Sequence, residues 1–417
     1  MEKYKYLIAG GGVAGATAAE TIRGRDSEGS IAIVNEEPYM LYSRVMLSKP
    51  NFFLGQIPFE SIWLKGKEWY EKNRVVFMGA KKLEKLETGR KLATLSDGTQ
   101  IEYDKLLLAT GVCTREWQVA GADKKGVFYL RTLEDGKKII EAVKTGKRAI
   151  VIGGGFIGFE MADMLHLAGL DVTMVIRENY FWEPLLNEAS GRMIEKAMTE
   201  NGVKILYNLL VNEVLGNEEV KGVLLSNGTR LDCDMIICGI GAECHTDWIK
   251  SIGLNVNRGI LANEYLETNL PDIWTAGDTA EFKDLILDET VQIGNWVNAR
   301  EQGRIAAINM TGERKPFKFV SFYTTQGMGV TIAFVGDVRM GPDRIVIQRG
   351  SPEINSYGRI IILDKGSRKE VEGATFINRT KEMGSVAKLI ESNMDVSNKT
   401  KELGDPNFDL KLLLPAI

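Results

Sequence analysis

The 417-residue chain is poor in sulfur and imidazole, with four cysteines and two histidines. Cysteines at positions 113, 233, 238 and 244 are too few to staple a secreted fold, which points to a reducing compartment. His166 and His245 do not combine with them at any zinc or iron–sulfur spacing, so no metal of its own is expected. No apolar run reaches the roughly 18–20 residues that span a bilayer. The first strand begins by residue 5, leaving no room for a signal peptide ahead of it. A formal charge of −4, a pI near 5.6 and no long block of one sign argue against nucleic acid or an anionic membrane surface as partner. A cytoplasmic protein of two or three domains is the expectation.

Glycine, by contrast, is abundant and patterned. The apolar run Lys5-Tyr6-Leu7-Ile8-Ala9 leads straight into Gly10-x-Gly12-x-x-Gly15 and an alanine-rich helix to about residue 23. This is the arrangement that binds a pyrophosphate. Gly10 makes the tight turn, Gly12 lets the backbone approach the phosphates, and Gly15 lets helix and strand pack closely. The helix then offers unpaired N–H groups and the positive end of its dipole. A second strand, 30–35, ends on Glu36, where an acid would accept hydrogen bonds from a ribose. Alone, such a glycine turn can be only a turn.

The pattern starts again at Arg148-Ala149-Ile150-Val151-Ile152, which runs into Gly153-x-Gly155-x-x-Gly158. A helix to about residue 168 and a strand over 171–176 follow. The hairpin Ser96-Asp97-Gly98-Thr99 also returns, as Ser226-Asn227-Gly228-Thr229. At a constant offset Leu95 matches Leu225, Gly98 matches Gly228, Asp104 matches Asp234 and Gly111 matches Gly241. One dinucleotide-binding unit therefore occurs twice, and two dinucleotides are expected.

With Ala109-Thr110-Gly111, Gly158-Phe159-Glu160 and Thr275-Ala276-Gly277-Asp278, these motifs resemble a known family. It is the pyridine nucleotide-disulfide oxidoreductases, flavoproteins of the glutathione reductase fold. The resemblance is nearest to the branch of rubredoxin and ferredoxin reductases, NADH oxidases and the flavin module of assimilatory nitrite reductases. It implies an α/β chain: two Rossmann-like dinucleotide-binding domains plus a C-terminal α+β interface domain. A split FAD-binding domain over 1–113 and 246–317 would enclose an NAD(P)-binding domain over 114–245, with the interface domain over 318–417.

The resemblance also implies roles. FAD falls on Gly10, Gly12, Gly15, Glu36, Thr110, Gly111 and Asp278, with Arg44 near its phosphates. The helix opening at Asn295 and Trp296 would aim at the flavin ring. NAD(P)H falls on Gly153, Gly155, Gly158 and Gly241. Lys49, in Leu47-Ser48-Lys49, pairs with Glu160 near the flavin in relatives. Close to position 42, where NADH oxidases of this family keep a redox cysteine, the chain reads Tyr42-Ser43-Arg44, without sulfur. Cys233-x4-Cys238 reads as one strand over 233–237, which puts the two thiols on opposite faces. Electrons should then leave directly from the flavin. Arg177 resembles the arginine that selects NADPH, while Glu178 could take ribose hydroxyls, so NAD(H) and NADP(H) both stay open.

The expected function is an FAD-dependent NAD(P)H oxidoreductase exchanging electrons with an iron–sulfur protein, ferredoxin or rubredoxin. Alternatives are the flavin subunit of a larger redox complex, such as the NAD-reducing subunit of a tungsten aldehyde oxidoreductase, a hydrogen peroxide-forming NAD(P)H oxidase, and a non-catalytic nucleotide sensor. Antiparallel strands near 331–335, 344–348 and 359–363 and a helix over 381–391 would build the interface domain, which in relatives carries partner or dimer contacts.

Overall fold

The computed structural model describes residues 1–244 and 247–414; His245 and the expected boundary at 245/246 lie outside them. The chain divides into two compact units. The first is Met1–Val45, Phe59–Cys113 and Ala242–Ser321, and the second is Met46–Pro58, Thr114–Gly241 and Phe322–Ile417.

The first unit is built on a seven-stranded sheet. Glu2–Ala9 lies at its centre, parallel to Ile31–Val34 on one side and to Gln100–Leu108 on the other. Val75–Met78 extends the first side, and Ile273–Thr275 pairs parallel with Gln100–Leu108. Both faces are covered, so the strands are continuous apolar runs rather than alternating ones. Alternation still sorts the side chains: Tyr6, Ile8, Ile33 and Leu107 face one core, while Leu7, Ala9, Ala32 and Leu108 face the other. In the first core the helices Val13–Arg25 and Trp296–Met310 cross closely, because small residues meet there. A Cβ placed on Gly303 would overlap the Ala14 carbonyl.

The second unit has a parallel sheet in the order Lys204–Leu206, Asp171–Val175, Arg148–Ile152, Met235–Cys238 and Val127–Phe128. The repeated hairpin is present in both units. Around Gly98, Leu92–Leu95 pairs antiparallel with Gln100–Leu108, and around Gly228, Gly222–Leu225 pairs with Arg230–Asp232. Before each hairpin a further strand, Leu83–Glu87 or Val211–Leu215, pairs antiparallel with its first arm. Each of these two outer pairs carries a register shift near its start. A five-stranded antiparallel sheet follows, in the order Phe322–Gly327, Val330–Gly336, Lys369–Ile377, Ser356–Asp364 and Arg344–Ser351. The helix Met383–Glu391 packs on it through Val386, Leu389 and Ile390.

Three readings are corrected. Residues 46–58, expected with 1–113, pack with the second unit. There a Cβ on Gly136 would touch Leu47 at 3.4 Å and Phe52 at 3.9 Å. Two strands of the C-terminal sheet, Phe322–Gly327 and Lys369–Ile377, had no clean alternation to betray them. Cys233 precedes its strand, which spans Met235–Cys238.

Gly303 and Gly24 test the helix contact. Gly303→Ala should destabilise by about 1–3 kcal/mol through overpacking. Gly24, in the Val13–Arg25 helix, faces open space. Gly24→Ala should be neutral or stabilise by up to about 1 kcal/mol. Urea unfolding reads both, and equal responses would show that the helices do not meet this closely.

Candidate functional site

In the first unit Gly10 has φ +118°, and a Cβ there would overlap the Ala109 carbonyl; one on Gly15 would overlap the Gly10 carbonyl. Strand, turn and helix can meet only because these positions are bare. Gly12 differs, since nothing lies within 4 Å of where its Cβ would be. It caps the Val13–Arg25 helix with no side-chain hydrogen bond and no acid in the first turn. The helix thus opens on donors and a dipole with space in front of them, as an anion requires.

The neighbouring loop is tied to this turn by a residue that motif reading passed over. Asn35 Oδ1 accepts the Gly11 N–H at 3.0 Å, and its amide nitrogen donates to the Glu37 and Tyr39 carbonyls. The expected ribose acid, Glu36, points to solvent and meets only Lys82, at 3.8 Å. Glu37 turns inward instead, taking Arg44 at 2.5 Å and the Tyr42 hydroxyl at 2.9 Å. Arg44, expected at phosphates, therefore sits on this carboxylate. Across the unit, Thr110 meets Thr279 at 3.5 Å, Gly111 has φ +70°, and half-buried Asp278 lies beside Gly294. The Gly277 N–H is held by buried Gln302 at 2.7 Å. Asn295 caps the Trp296–Met310 helix by accepting the Asn298 N–H at 2.8 Å, which commits its side-chain oxygen to the fold.

The second unit repeats the construction. Gly153 has φ +90°, a Cβ there would lie 2.6 Å from the Gly239 carbonyl, and one on Gly158 would overlap the Gly153 carbonyl. Gly155 caps Phe156–Leu167, again without a side-chain hydrogen bond. Ile176 stands where Asn35 stood, 3.0 Å from a Cβ on Gly154. Arg177 reaches into solvent and bonds Glu178 at 2.8 Å. Gly241, at φ +109°, follows the strand end.

Glu160 is the most heavily bonded carboxylate in this unit's centre. It is 4 % exposed and takes Lys49 at 2.5 Å and Thr325 at 2.6 Å, with Ser48 donating to its other oxygen. Tyr323 stands 3.5 Å away, its hydroxyl pushed up in pKa by burial and then by the Glu160 charge. One turn on, Asp163 accepts the Met328 N–H at 3.1 Å, and burial raises its pKa. Lys49 and Glu160 are brought together as expected; Ser48, Thr325 and Tyr323 were missed, because no motif links positions so far apart.

The family model for pyridine nucleotide-disulphide oxidoreductases matches residues 4–303. The chain belongs to this family. Its reductases use FAD and NAD(P)H. Among relatives, the NAD(P)H nitrite reductase of Bacillus subtilis is 29 % identical over 406 residues, which cover 96 % of this chain and 49 % of that protein. The chain thus spans about half of that relative's length. The ferredoxin–NAD(+) reductase component of the biphenyl dioxygenase system of Paraburkholderia xenovorans is 29 % identical over 409 residues, 98 % of each chain. The crystal structure of a ferredoxin reductase from Rhodopseudomonas palustris superposes with a TM-score of 0.91 at 27 % identity, covering 99 % of this chain and 100 % of that one. The expected branch of the family is borne out.

Disulfide chemistry gives this family its name, yet all four cysteines here are thiols. Burial pushes Cys233 and Cys238 up to about 12 and also raises Cys244. At neutral pH they are protonated and poor nucleophiles.

The Glu160 cluster yields a stability prediction. Lys49→Met leaves a buried carboxylate without its cation and should cost about 2–4 kcal/mol. Adding Glu160→Leu should recover part of that loss. Denaturant unfolding of both variants checks it; additive losses would mean that the two side chains do not interact.

Proposed function

We propose that this chain passes electrons between NAD(P)H and an iron–sulfur carrier protein through FAD. The observation that supports this most is the pair of bare-glycine cradles, one in each unit, each ending on an uncapped helix. Two dinucleotides in one chain make a relay. FAD supplies the chemistry, since it takes up a hydride and passes electrons on one at a time.

The chain's own residues would do the rest. Gly10, Gly12 and Gly15 would hold the FAD pyrophosphate on the Val13–Arg25 helix, with Thr110, Gly111 and Asp278 at the ribityl side. Glu37 joins Glu36 as the ribose acid, and Arg44 would move from Glu37 to a phosphate. Trp296 would start the helix whose dipole faces the flavin ring. Gly153, Gly155, Gly158 and Gly241 would hold NAD(P)H, with Glu178 or Arg177 at its adenosine ribose. Lys49 and Glu160 are the catalytic pair. Ser48 and Thr325 fix the Glu160 carboxylate, so the lysine charge stays in one place through turnover. Residues 1–113, apart from the 46–58 segment that packs with the second unit, and 246–317 are assigned to FAD, 114–245 to NAD(P) and 318–417 to the interface. A cytoplasmic location fits the composition, and no helix among the described residues is long and apolar enough to cross a membrane.

A second reading, a flavin module of a larger redox complex, is favoured by the 49 % coverage of the nitrite reductase. Denatured protein should release FAD rather than FMN, and NAD(P)H should reduce ferredoxin or rubredoxin much faster than oxygen. Mass spectrometry and cytochrome-coupled assays check this. Faster peroxide formation would move the chain to the oxidases, and co-purifying iron–sulfur subunits would favour the second reading. If Arg177 holds a 2′-phosphate, Arg177→Ala should weaken NADPH by roughly 1.5–3 kcal/mol and leave NADH alone; equal losses in titrations of the two would remove that role.

A further inference from the structure

The C-terminal antiparallel sheet buries two arginines on neighbouring strands, and the fold treats them differently. Arg349 is 1 % exposed and saturated. Its Nε donates to Glu382 at 2.7 Å, and its terminal nitrogens reach the carbonyls of Glu402, Leu403, Asp405 and Phe408. Arg359 is 3 % exposed and has one contact, Nη1 to the Leu185 carbonyl at 3.5 Å. Its Nε has no acceptor, and it makes no ion pair with any carboxylate of the described residues. An isolated buried guanidinium is expensive, and native folds pair such charges.

Around Arg359 lie the Leu185 carbonyl, Tyr180 and Tyr357. Leu185 lies on the loop between the strand Asp171–Val175 and the helix Glu188–Glu200. Asn187 caps the 13-residue helix and donates to the Tyr357 hydroxyl at 3.3 Å. That helix start is already capped, and Glu188 stands in its first turn. The two nearby acids are engaged elsewhere: Glu183 accepts from Asn179 at 2.9 Å, and Glu188 pairs with Arg192 at 3.3 Å. Burial lowers the Arg359 pKa from its ordinary value, with Tyr357 and Tyr180 working against that.

We propose that Arg359, with Tyr180 and Tyr357, binds a phosphate-class oxyanion, either free or carried by the pyridine nucleotide. A planar guanidinium fork matches two oxygens of such an anion, and the Arg359 Nε, which has no acceptor, supplies one of its donors. The site does not depend on the identity of the electron acceptor.

The test is thermal unfolding of the FAD-loaded protein in chloride, sulfate or inorganic phosphate at equal ionic strength. Phosphate or sulfate should raise the wild-type Tm by roughly 1–2 °C at ten times its Kd. Arg359→Met should abolish that rise and melt no lower than wild type in chloride, since it removes an unpaired charge. Arg359→Gln serves if the methionine variant does not fold. For a nucleotide-borne phosphate, Arg359→Met should weaken NADPH but not NADH about tenfold, and phosphate should compete with NADPH. For a free anion, the phosphate shift should persist at saturating NADH. The proposal is overturned if phosphate, sulfate and chloride give one Tm while both nucleotides bind wild type and variant equally. It is likewise overturned if the variant keeps the full anion shift.

Discussion

Everything in the two nucleotide-binding units depends on a steric condition: a helix has to begin directly on the end of a parallel strand. Gly15 against the Gly10 carbonyl, and Gly158 against the Gly153 carbonyl, leave no volume for a methyl group. With the close approach granted, the helix amides must point outward. They are left uncapped at Gly12 and Gly155, whereas the helices after Thr132, Asn187 and Asn295 carry side-chain caps. With glycine at the cap, withholding a side-chain cap costs only about a few tenths of a kcal/mol. It leaves donors for a phosphate that brings the compensating charge.

The second unit manages charge in two opposite ways. Glu160 is buried and satisfied by a lysine and two hydroxyls, so it is rigid and keeps its neighbour's charge fixed. Arg359 is equally buried and has almost nothing. Placed in the same unit as the saturated Arg349, it shows that the fold can satisfy a buried arginine when the purpose is structural. The thiols complete the contrast. Burial makes Cys233 and Cys238 behave as small apolar side chains rather than as nucleophiles.

Much of this could be read from spacing. Both glycine turns, both hairpins and the parallel strands after them are local patterns, with side-chain period and turn chemistry written in a few consecutive residues. The strand read over 30–35 is found at Ile31–Val34. The C-terminal sheet was half legible, because Val330–Gly336 and Ser356–Asp364 have apolar runs, while Phe322–Gly327 reads Phe-Tyr-Thr-Thr-Gln-Gly and carries no period. The Lys49–Glu160 pair came from family resemblance and not from any spacing.

The sequence by itself determined the fold class and the duplicated dinucleotide unit, since bare glycines and strand periods act within one turn of the chain. Tertiary structure alone decided which of two adjacent acids turns inward. Glu36 and Glu37 are chemically alike, and only the Asn35 bonds that fold their loop over the glycine turn separate them. It also decided that residues 46–58 join the second unit, and that Ser48 and Thr325, more than 100 residues from Glu160, close around its carboxylate. Arg359 is the clearest case. An arginine on a strand reads as an ordinary surface residue until packing removes the solvent and supplies no counter-charge, and neither event leaves a mark in local sequence.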